Sequence, residues 1–437
     1  MTAVAEPVTP EAPGGRRQAV RVLVAGAGFA GLGMGIRLLQ AGVSDFVILD
    51  RGDEVGGTWR DNTYPGAACD VPSHLYSFSF APNPDWSSSF SSQPEIQAYL
   101  RGCADRFGLR PHLRMGHELL AARWAEEDRR WYVDTSGGSF VAQVLVSATG
   151  ALSDPSVPAL PGLDTFEGTA FHSARWRHDH DLAGERVAVV GTGASAIQIV
   201  PQIQPRVDHL SVFQRTPPWI VPRLDRRFTR LERLAFRHLP LVQRLARSAI
   251  YWGRESYVAG FAGSQRLMAG AEALARAHLR RQVPDPALRD RLTPTYTIGC
   301  KRILVSSDYY PALTRPNVDL VPHGVTEVRP RSVVAADGTE HPVDSIIFGT
   351  GFQVTDIPVA RRVTGRSGHT LAACWSEGMH AHRGTTVPGF PNLFLLVGPN
   401  TGLGHTSQVI MIEAQIAYVV EALRHLDTRG AAVAEVR

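Results

Sequence analysis

The stretch from Val20 to Asp50 constrains this chain more than any other. Val20-Arg21-Val22-Leu23-Val24-Ala25 spells a short buried strand and Gly26-Ala27-Gly28-Phe29-Ala30-Gly31 a tight turn. Leu32 to Ala41 spells a helix, and Phe46-Val47-Ile48-Leu49 a second strand ending at Asp50. G-x-G-x-x-G between strand and helix is the pattern of a dinucleotide-binding unit. Gly26, Gly28 and Gly31 let the backbone approach a pyrophosphate, whose charge is favoured by the free N–H groups and dipole of the helix start. Asp50, 22 residues beyond Gly28, is placed to accept hydrogen bonds from a ribose.

The pattern recurs downstream. Arg186 to Val190 reads as a strand, Gly191-Thr192-Gly193-Ala194-Ser195-Ala196 as the turn, Ala196 to Gln204 as the helix, and His209 to Arg215 as the next strand. Arg215 follows Gly193 by the same 22 residues that separate Asp50 from Gly28, with the opposite charge. An acid at this place holds a ribose 2'-hydroxyl, whereas an arginine accommodates a 2'-phosphate. The first site therefore suits FAD and the second NADPH. The expected fold class is α/β, with two Rossmann-like dinucleotide-binding domains.

The remaining residues suggest how these units are joined. Val144-Leu145-Val146 runs into Ser147-Ala148-Thr149-Gly150, and Ser345-Ile346-Ile347-Phe348-Gly349-Thr350-Gly351 repeats an apolar strand ending in small residues and Thr-Gly. We expect the chain to leave the first domain near Gly150 and to return near Gly351. The expected organisation is a disordered tail at 1–19 and a discontinuous FAD-binding domain at 20–150 and 325–437. A linker at 151–182, an NADPH-binding domain at 183–222 and 293–324, and a helical insertion at 223–292 complete it. The insertion is Arg-rich, with Leu, Phe and Tyr at three- and four-residue spacing. It reads as a solvated cover over a pocket, with weak peripheral membrane contact by Phe228 to Tyr257 as the alternative.

Chain-wide properties narrow the class. A net charge of +4, dispersed over 437 residues, gives no footprint for nucleic acid. No run of 18 apolar residues spans a membrane. Cys69, Cys103, Cys300 and Cys374 are scattered without C-x-x-C or zinc spacing, which fits a reducing cytoplasm and counts against a flavin-dependent disulfide reductase. His178-Asp179-His180-Asp181 reads as solvated loop, so no metal site is expected. Lys301 is the only lysine among 45 basic residues. It adjoins Arg302 in an otherwise uncharged segment, offering one cation to a phosphate and one to the chemistry.

Between Asn62 and Pro84 the single charge is Asp70, whose burial would demand a cationic partner. Gly56-Gly57-Thr58-Trp59 allows backbone to pass close to a ligand beside a flat apolar wall. Tyr76, Phe78, Phe80, Trp86 and Phe90 form an aromatic cluster that lines a pocket or packs beneath a loop. Near the end, the positive start of a helix from about Ser407 to Leu426 is a candidate to point at a flavin, with His405 capping the preceding loop.

Phe166-Glu167-Gly168-Thr169-Ala170-Phe171-His172-Ser173-Ala174-Arg175-Trp176 matches F-x-G-x-x-x-H-x-x-x-W. In this the chain resembles the type I Baeyer-Villiger monooxygenases, and the resemblance runs nearly throughout from about residue 20. It includes Gly56-Gly57-Thr58-Trp59, Tyr64-Pro65-Gly66-Ala67, Cys69-Asp70-Val71, Gln214-Arg215-Thr216 and Cys300-Lys301-Arg302. It looks closest to the 4-hydroxyacetophenone monooxygenase-like branch, which acts on aryl and aliphatic ketones. Arg177 stands where the fingerprint usually closes with Pro or Asp, and relatives continue beyond the position of Arg437, which points to a shortened form with an open pocket.

The resemblance implies that NADPH reduces FAD and that O2 then gives a C4a-peroxyflavin able to attack a ketone. Arg302 would be the catalytic arginine and Asp70 the carboxylate that orients it. Lys301 and Arg215 would grip the NADPH 2'-phosphate, and retained NADP+ would shield the site from water. Gly57, Thr58, Trp59, Asp70, Tyr76, Thr216 and Gly351 join the glycine turns as expected cofactor contacts. Phe166, Gly168, His172 and Trp176 are expected to support movement between domains. The expected product is an ester or lactone, from a cytoplasmic monomer or homodimer taking a small-molecule ketone and O2. The alternatives are a heteroatom monooxygenase acting on amines or sulfides, or a shortened NADPH-oxidising flavoprotein.

Overall fold

A computed structural model describes residues 17–261, 265–354 and 357–437. The tail expected at 1–19 lies mostly outside the described residues. The chain opens with β1 (Gln18–Ala25), α1 (Phe29–Gln40), β2 (Phe46–Asp50), α2 (Thr58–Asp61) and α3 (Gln93–Arg106). It continues through β3 (Leu113–Met115), β4 (Leu119–Ala125), β5 (Arg130–Thr135), β6 (Gly138–Ser147) and β7 (Thr169–His172). The second glycine turn lies between β8 (Arg186–Val190) and α4 (Ala194–Ile203), followed by β9 (His209–Phe213) and β10 (Ile220–Val221). Helices α5 (Arg230–His238), α6 (Pro240–Glu255), α7 (Val258–Phe261), α8 (Gln265–Gln282) and α9 (Pro286–Arg291) make the insertion. After β11 (Leu304–Val305) come α10 (Tyr309–Leu313), β12 (Val318–Val321), β13 (Val325–Arg329), β14 (Ser332–Ala335), β15 (Glu340–Pro342) and β16 (Ser345–Phe348). Last are β17 (Val363–Thr364), α11 (Leu371–Cys374), β18 (Leu393–Leu395) and α12 (Gln408–Arg429).

Two sheets carry the fold. In the first, β1 lies parallel to β6 on one side and β2 on the other, in the order β17-β4-β5-β6-β1-β2-β3, with β18 also paired to β6. Such a strand is covered on both faces, which explains why Val22, Leu23 and Val24 are all fully buried and why β1 reads as a continuous apolar run. Helices α1, α3 and α12 cover one face, and the β4–β5 hairpin with segments between 360 and 395 covers the other. The second sheet is wholly parallel, in the order β12-β9-β8-β16-β7.

The second sheet corrects two expectations about the domains. The strand at 345–348, expected within the first domain, pairs with β8 and β7 in the second sheet. Thr169–His172, expected within the linker, is that sheet's edge strand. The repeated Thr-Gly ending therefore marks one strand in each sheet. The carbonyl of Ala148 stands over Gly26, and that of Gly349 over Gly191. Both glycines have φ of +111°, and a methyl on either would lie 2.4 or 2.6 Å from the facing oxygen. The chain rejoins the first sheet only at β17, rather than at residue 325.

The two crossings between sheets run side by side. Ser156 donates its N–H to the Gly351 carbonyl at 2.9 Å, Gln353 donates to the Asp154 carbonyl at 2.9 Å, and the Thr350 hydroxyl donates to the Ser156 carbonyl at 2.5 Å. The Arg51 guanidinium ties this strap to the first domain through the Asp154 carboxylate at 2.6 Å.

Gly31 leaves no room for a side chain, since a methyl there would lie 1.7 Å from the Gly26 carbonyl oxygen. Gly31→Ala is expected to destabilise the fold by at least about 3 kcal/mol, because backbone and not a flexible side chain must move. Thermal denaturation checks this, with bound flavin per chain as the second readout.

Candidate active site

Helices α1 and α4 start differently from their neighbours. Their N-caps are Gly28 and Gly193, with no side-chain cap and no acid in the first turn. By contrast, Thr229, Asp285 and Ser407 each accept a first-turn N–H of α5, α9 and α12. Two bare helix starts, each at the carboxyl end of a strand with parallel neighbours on both sides, are places where backbone donors await an anion. The start of α12, a candidate to point at a flavin, has its Val409 N–H bonded to the Ser407 hydroxyl at 3.2 Å.

The first turn has the shape a pyrophosphate needs. Gly28 faces Gly57 so closely that a methyl on Gly57 would lie 3.1 Å from the Gly28 α-carbon. Any other residue would fill the cradle, so the donor set and the space fit the phosphates of FAD. Asp50 is buried; its carboxylate accepts from Ala27 N at 2.7 Å, Gly52 N at 2.8 Å and Arg60 Nη1 at 2.6 Å. Oδ2 has one protein donor, which leaves acceptor capacity for a ribose hydroxyl. Arg60 also pairs with Asp61 at 2.7 Å. Burial works against its charge, but Asp61 and Asp50 more than offset this and hold its pKa above the ordinary value. Arg60 escaped the sequence reading, although it directly follows the expected Gly57-Thr58-Trp59 contact.

Beyond this turn an apolar wall forms. The Trp59 indole N–H donates to the Tyr76 hydroxyl at 3.1 Å, and Tyr76 packs edge-on against Phe29 at 5.1 Å. Burial raises the Tyr76 pKa, so it remains a phenol. Thr58 stands near the strap, its hydroxyl 3.5 Å from the Leu152 carbonyl. Phe78 and Trp86 are core residues.

Asp70 meets Arg302 across 232 residues of chain. Nε and Nη2 of Arg302 donate to one carboxylate oxygen of Asp70, at 3.0 and 2.6 Å. Burial opposes the guanidinium charge, yet the carboxylate raises the Arg302 pKa above its ordinary value by charge and hydrogen bonding. The arginine side chain stays 49% exposed, so the pair presents a fixed cation to an open space. Arg302 is placed by β11, which pairs parallel with β10 so that the insertion leaves and returns at one point. Lys301 sits beside it, with its ammonium 4.9 Å from the centre of the Tyr296 ring.

The Asp70 loop is docked on the second unit. The Tyr64 hydroxyl donates to Gln198 Oε1 at 3.0 Å, and Gln198 Nε2 donates to the Ala68 carbonyl at 3.0 Å. Gln198 lies on α4, so the helix that opens at the second glycine turn also supports the loop carrying Asp70. Around that turn, Ala196 packs beneath Gly349, Ser195 is half-buried, and the Thr192 hydroxyl donates to the Thr216 carbonyl at 3.2 Å. Arg215 lies just beyond β9 and is exposed, free to meet a ligand at the sheet's carboxyl edge.

Of the fingerprint residues, three pack on the second sheet and His172 meets the strap. Phe166 packs against the second sheet, Gly168 passes under the Asp344 carbonyl, and Trp176 meets Phe171 edge-on at 5.1 Å. His172 is buried, its Nδ1 accepts from Ala174 N at 3.1 Å, and its ring packs on Phe352 at 5.7 Å. Burial lowers its pKa, which favours the neutral ring. In the adjoining loop, His178 bonds the Thr63 hydroxyl at 2.8 Å and His180 pairs with Glu185 at 3.2 Å. His405 does more than cap its loop, since it pairs with Glu255 of α6 at 3.5 Å. Arg254 also escaped the sequence reading; from the last turn of α6 it donates to the Asp70 carbonyl at 3.2 Å.

Comparison with known proteins identifies the family. Residues 23–229 match the family model described as pyridine nucleotide-disulphide oxidoreductase. All four cysteines are nevertheless unpaired, and two are buried. A Baeyer-Villiger monooxygenase of Streptomyces coelicolor is 56% identical over 411 residues, covering 94% of this chain and 79% of the relative. The crystal structure of cyclohexanone monooxygenase from Rhodococcus sp. Phi1 bound to NADP+ superposes with a TM-score of 0.85 at 31% identity, covering 97% of this chain and 87% of that one. The structure of OTEMO in complex with FAD and NADP gives a TM-score of 0.87 at 28% identity, covering 97% and 87%. The chain belongs to the type I Baeyer-Villiger monooxygenases, FAD- and NADPH-dependent flavoproteins that insert one oxygen atom of O2 beside a ketone carbonyl.

Proposed function

We propose that Arg302 is the catalytic residue of this monooxygenase and Asp70 the residue that holds it. The observation that carries this is the shared carboxylate oxygen, which aims Nε and Nη2 together and keeps the cation in one orientation. When bound, FAD supplies the chemistry of accepting electrons from NADPH and activating O2 for insertion. Arg302 stabilises the negative charge that insertion develops, because a preorganised cation needs no reorganisation at the moment of reaction. Gly26, Gly28, Gly31, Asp50 and Gly57 hold the FAD phosphates and ribose, while Thr58, Trp59 and Tyr76 wall the ring system. Gly191, Gly193, Ser195, Ala196 and Thr216 seat NADPH, with Arg215 and Lys301 on its 2'-phosphate. Gly351 is a further cofactor contact, at the strap where its carbonyl accepts from Ser156 N.

We assign Phe166, Gly168, His172 and Trp176 to coupling of the two domains, with the neutral, buried His172 as support for the strap. The protein acts in a reducing cytoplasm on aryl or aliphatic ketones of the 4-hydroxyacetophenone type. Four unpaired cysteines support the compartment, and the match at Cys69-Asp70-Val71 and Cys300-Lys301-Arg302 supports the branch. Incubation with NADPH, O2 and phenylacetone, acetophenone, a cyclic ketone or a sulfide tests this. Mass spectrometry is expected to find ester from the aryl ketones; sulfoxide alone, or hydrogen peroxide alone, would contradict the assignment.

A further inference from the structure

Helix α6 turns a row of polar side chains inward and a row of apolar ones outward. Gln243, Arg247 and Arg254 stand at i, i+4 and i+11, a spacing that puts all three on one face at 3.6 residues per turn. That face is turned to the protein. Gln243 donates to the Asn83 carbonyl at 2.6 Å, Arg247 to the carbonyls of His74 at 2.5 Å and Ser77 at 3.0 Å, and Arg254 to Asp70 as described. Leu241, Leu245 and Trp252 have the same spacing on the opposite face, and they are 66, 61 and 69% exposed. A helix on a globular protein normally buries its apolar stripe and wets its polar one. Here Gln243, Arg247 and Arg254 are committed to hydrogen bonds and Ile250 and Tyr251 pack against the core, so rotation cannot bury the leucines.

The chain just before α6 adds further exposed leucines. Leu224, Leu231 and Leu239 are 82, 78 and 56% exposed, and all belong to the same hairpin of α5 and α6 and its entry. Its charge is one-sided as well. From Arg226 to Glu255 there are eight arginines and only two carboxylates, Glu232 and Glu255. Arg226 pairs with Glu232 and Arg237 with Asp85. Arg227, Arg230 and Arg244 are exposed without a carboxylate partner among the described residues. Leucines and a tryptophan along one row, flanked by free guanidinium groups, are what an interfacial helix presents to anionic lipid.

We propose that the α5–α6 hairpin docks this enzyme peripherally on an anionic bilayer surface. Leu231, Leu241, Leu245 and Trp252 enter the acyl boundary while Arg227, Arg230 and Arg244 meet lipid phosphates. Charge decides between occupants. A second copy laid on the same face would set arginines against arginines, which disfavours a symmetric dimer there. A nucleic-acid backbone would satisfy the arginines but leave the leucine row in water. The proposal stands independently of which ketone the site oxidises.

Vesicle sedimentation of the FAD-loaded full chain tests it. With about 30 mol% phosphatidylglycerol in phosphatidylcholine, the protein is expected to pellet at low salt and to be released at high salt. With phosphatidylcholine alone, little should pellet. A Leu241→Ser/Leu245→Ser variant and an Arg230→Glu/Arg244→Glu variant should each lose binding by at least about tenfold. Both should keep wild-type flavin content and NADPH oxidation, and Leu120→Ser, on β4, should bind as wild type. The proposal is overturned if phosphatidylglycerol vesicles fail to bind the wild type, or if both double variants bind unchanged. It is also overturned if the leucine variant only converts a dimer to a monomer, since a second copy would then cover the face.

Discussion

Arg302→Ala is expected to lower ester formation on the order of a thousandfold while leaving flavin reduction by NADPH within a few-fold of wild type. The asymmetry follows from where the charge is needed. Hydride transfer would leave its negative charge spread over a ring system, whereas oxygen insertion concentrates charge on oxygen, where a fixed guanidinium matters most. Anaerobic stopped-flow reduction followed by product analysis separates the steps, and NADPH oxidation should be diverted to hydrogen peroxide. Full ester yield from the variant would remove Arg302 from the chemistry. Asp70→Asn should give a smaller loss, because the cation remains but its orientation relaxes. Arg302→Lys should recover little, since one ammonium cannot reproduce donation from Nε and Nη2 to a single oxygen.

Arg215→Ala is expected to reduce the preference for NADPH over NADH by roughly 10- to 100-fold, with the change in KM for NADPH and little change for NADH. A charge-assisted hydrogen bond contributes about 1.5–3 kcal/mol, which sets this range. Lys301→Ala should act in the same direction more weakly, because an ammonium meets a phosphate as a point charge without the fork geometry of arginine. Steady-state kinetics with both nucleotides decides the matter. An unchanged ratio in Arg215→Ala would mean that the 2'-phosphate is held elsewhere. A parallel fall with both nucleotides would mean that the substitution disturbs the β9 edge instead.

The sequence by itself determined both dinucleotide turns. Their requirement is local: φ of +111° at Gly26 and Gly191, and bare helix starts at Gly28 and Gly193, follow from a few consecutive residues. The resemblance also singled out Asp70 with Arg302, although the two are 232 residues apart. Only the tertiary structure decided which sheet receives each Thr-Gly strand. An apolar strand fits the parallel part of either sheet equally well, and β16 is assigned by its neighbours β8 and β7 rather than by its own side chains. Packing between remote segments likewise set Arg60 against Asp50, Gln198 against the Asp70 loop and Arg254 against the Asp70 carbonyl. The outward leucines of α6 belong with these. Periodicity along a helix shows that it has two faces, but which face turns inward depends on the partners that the rest of the chain supplies.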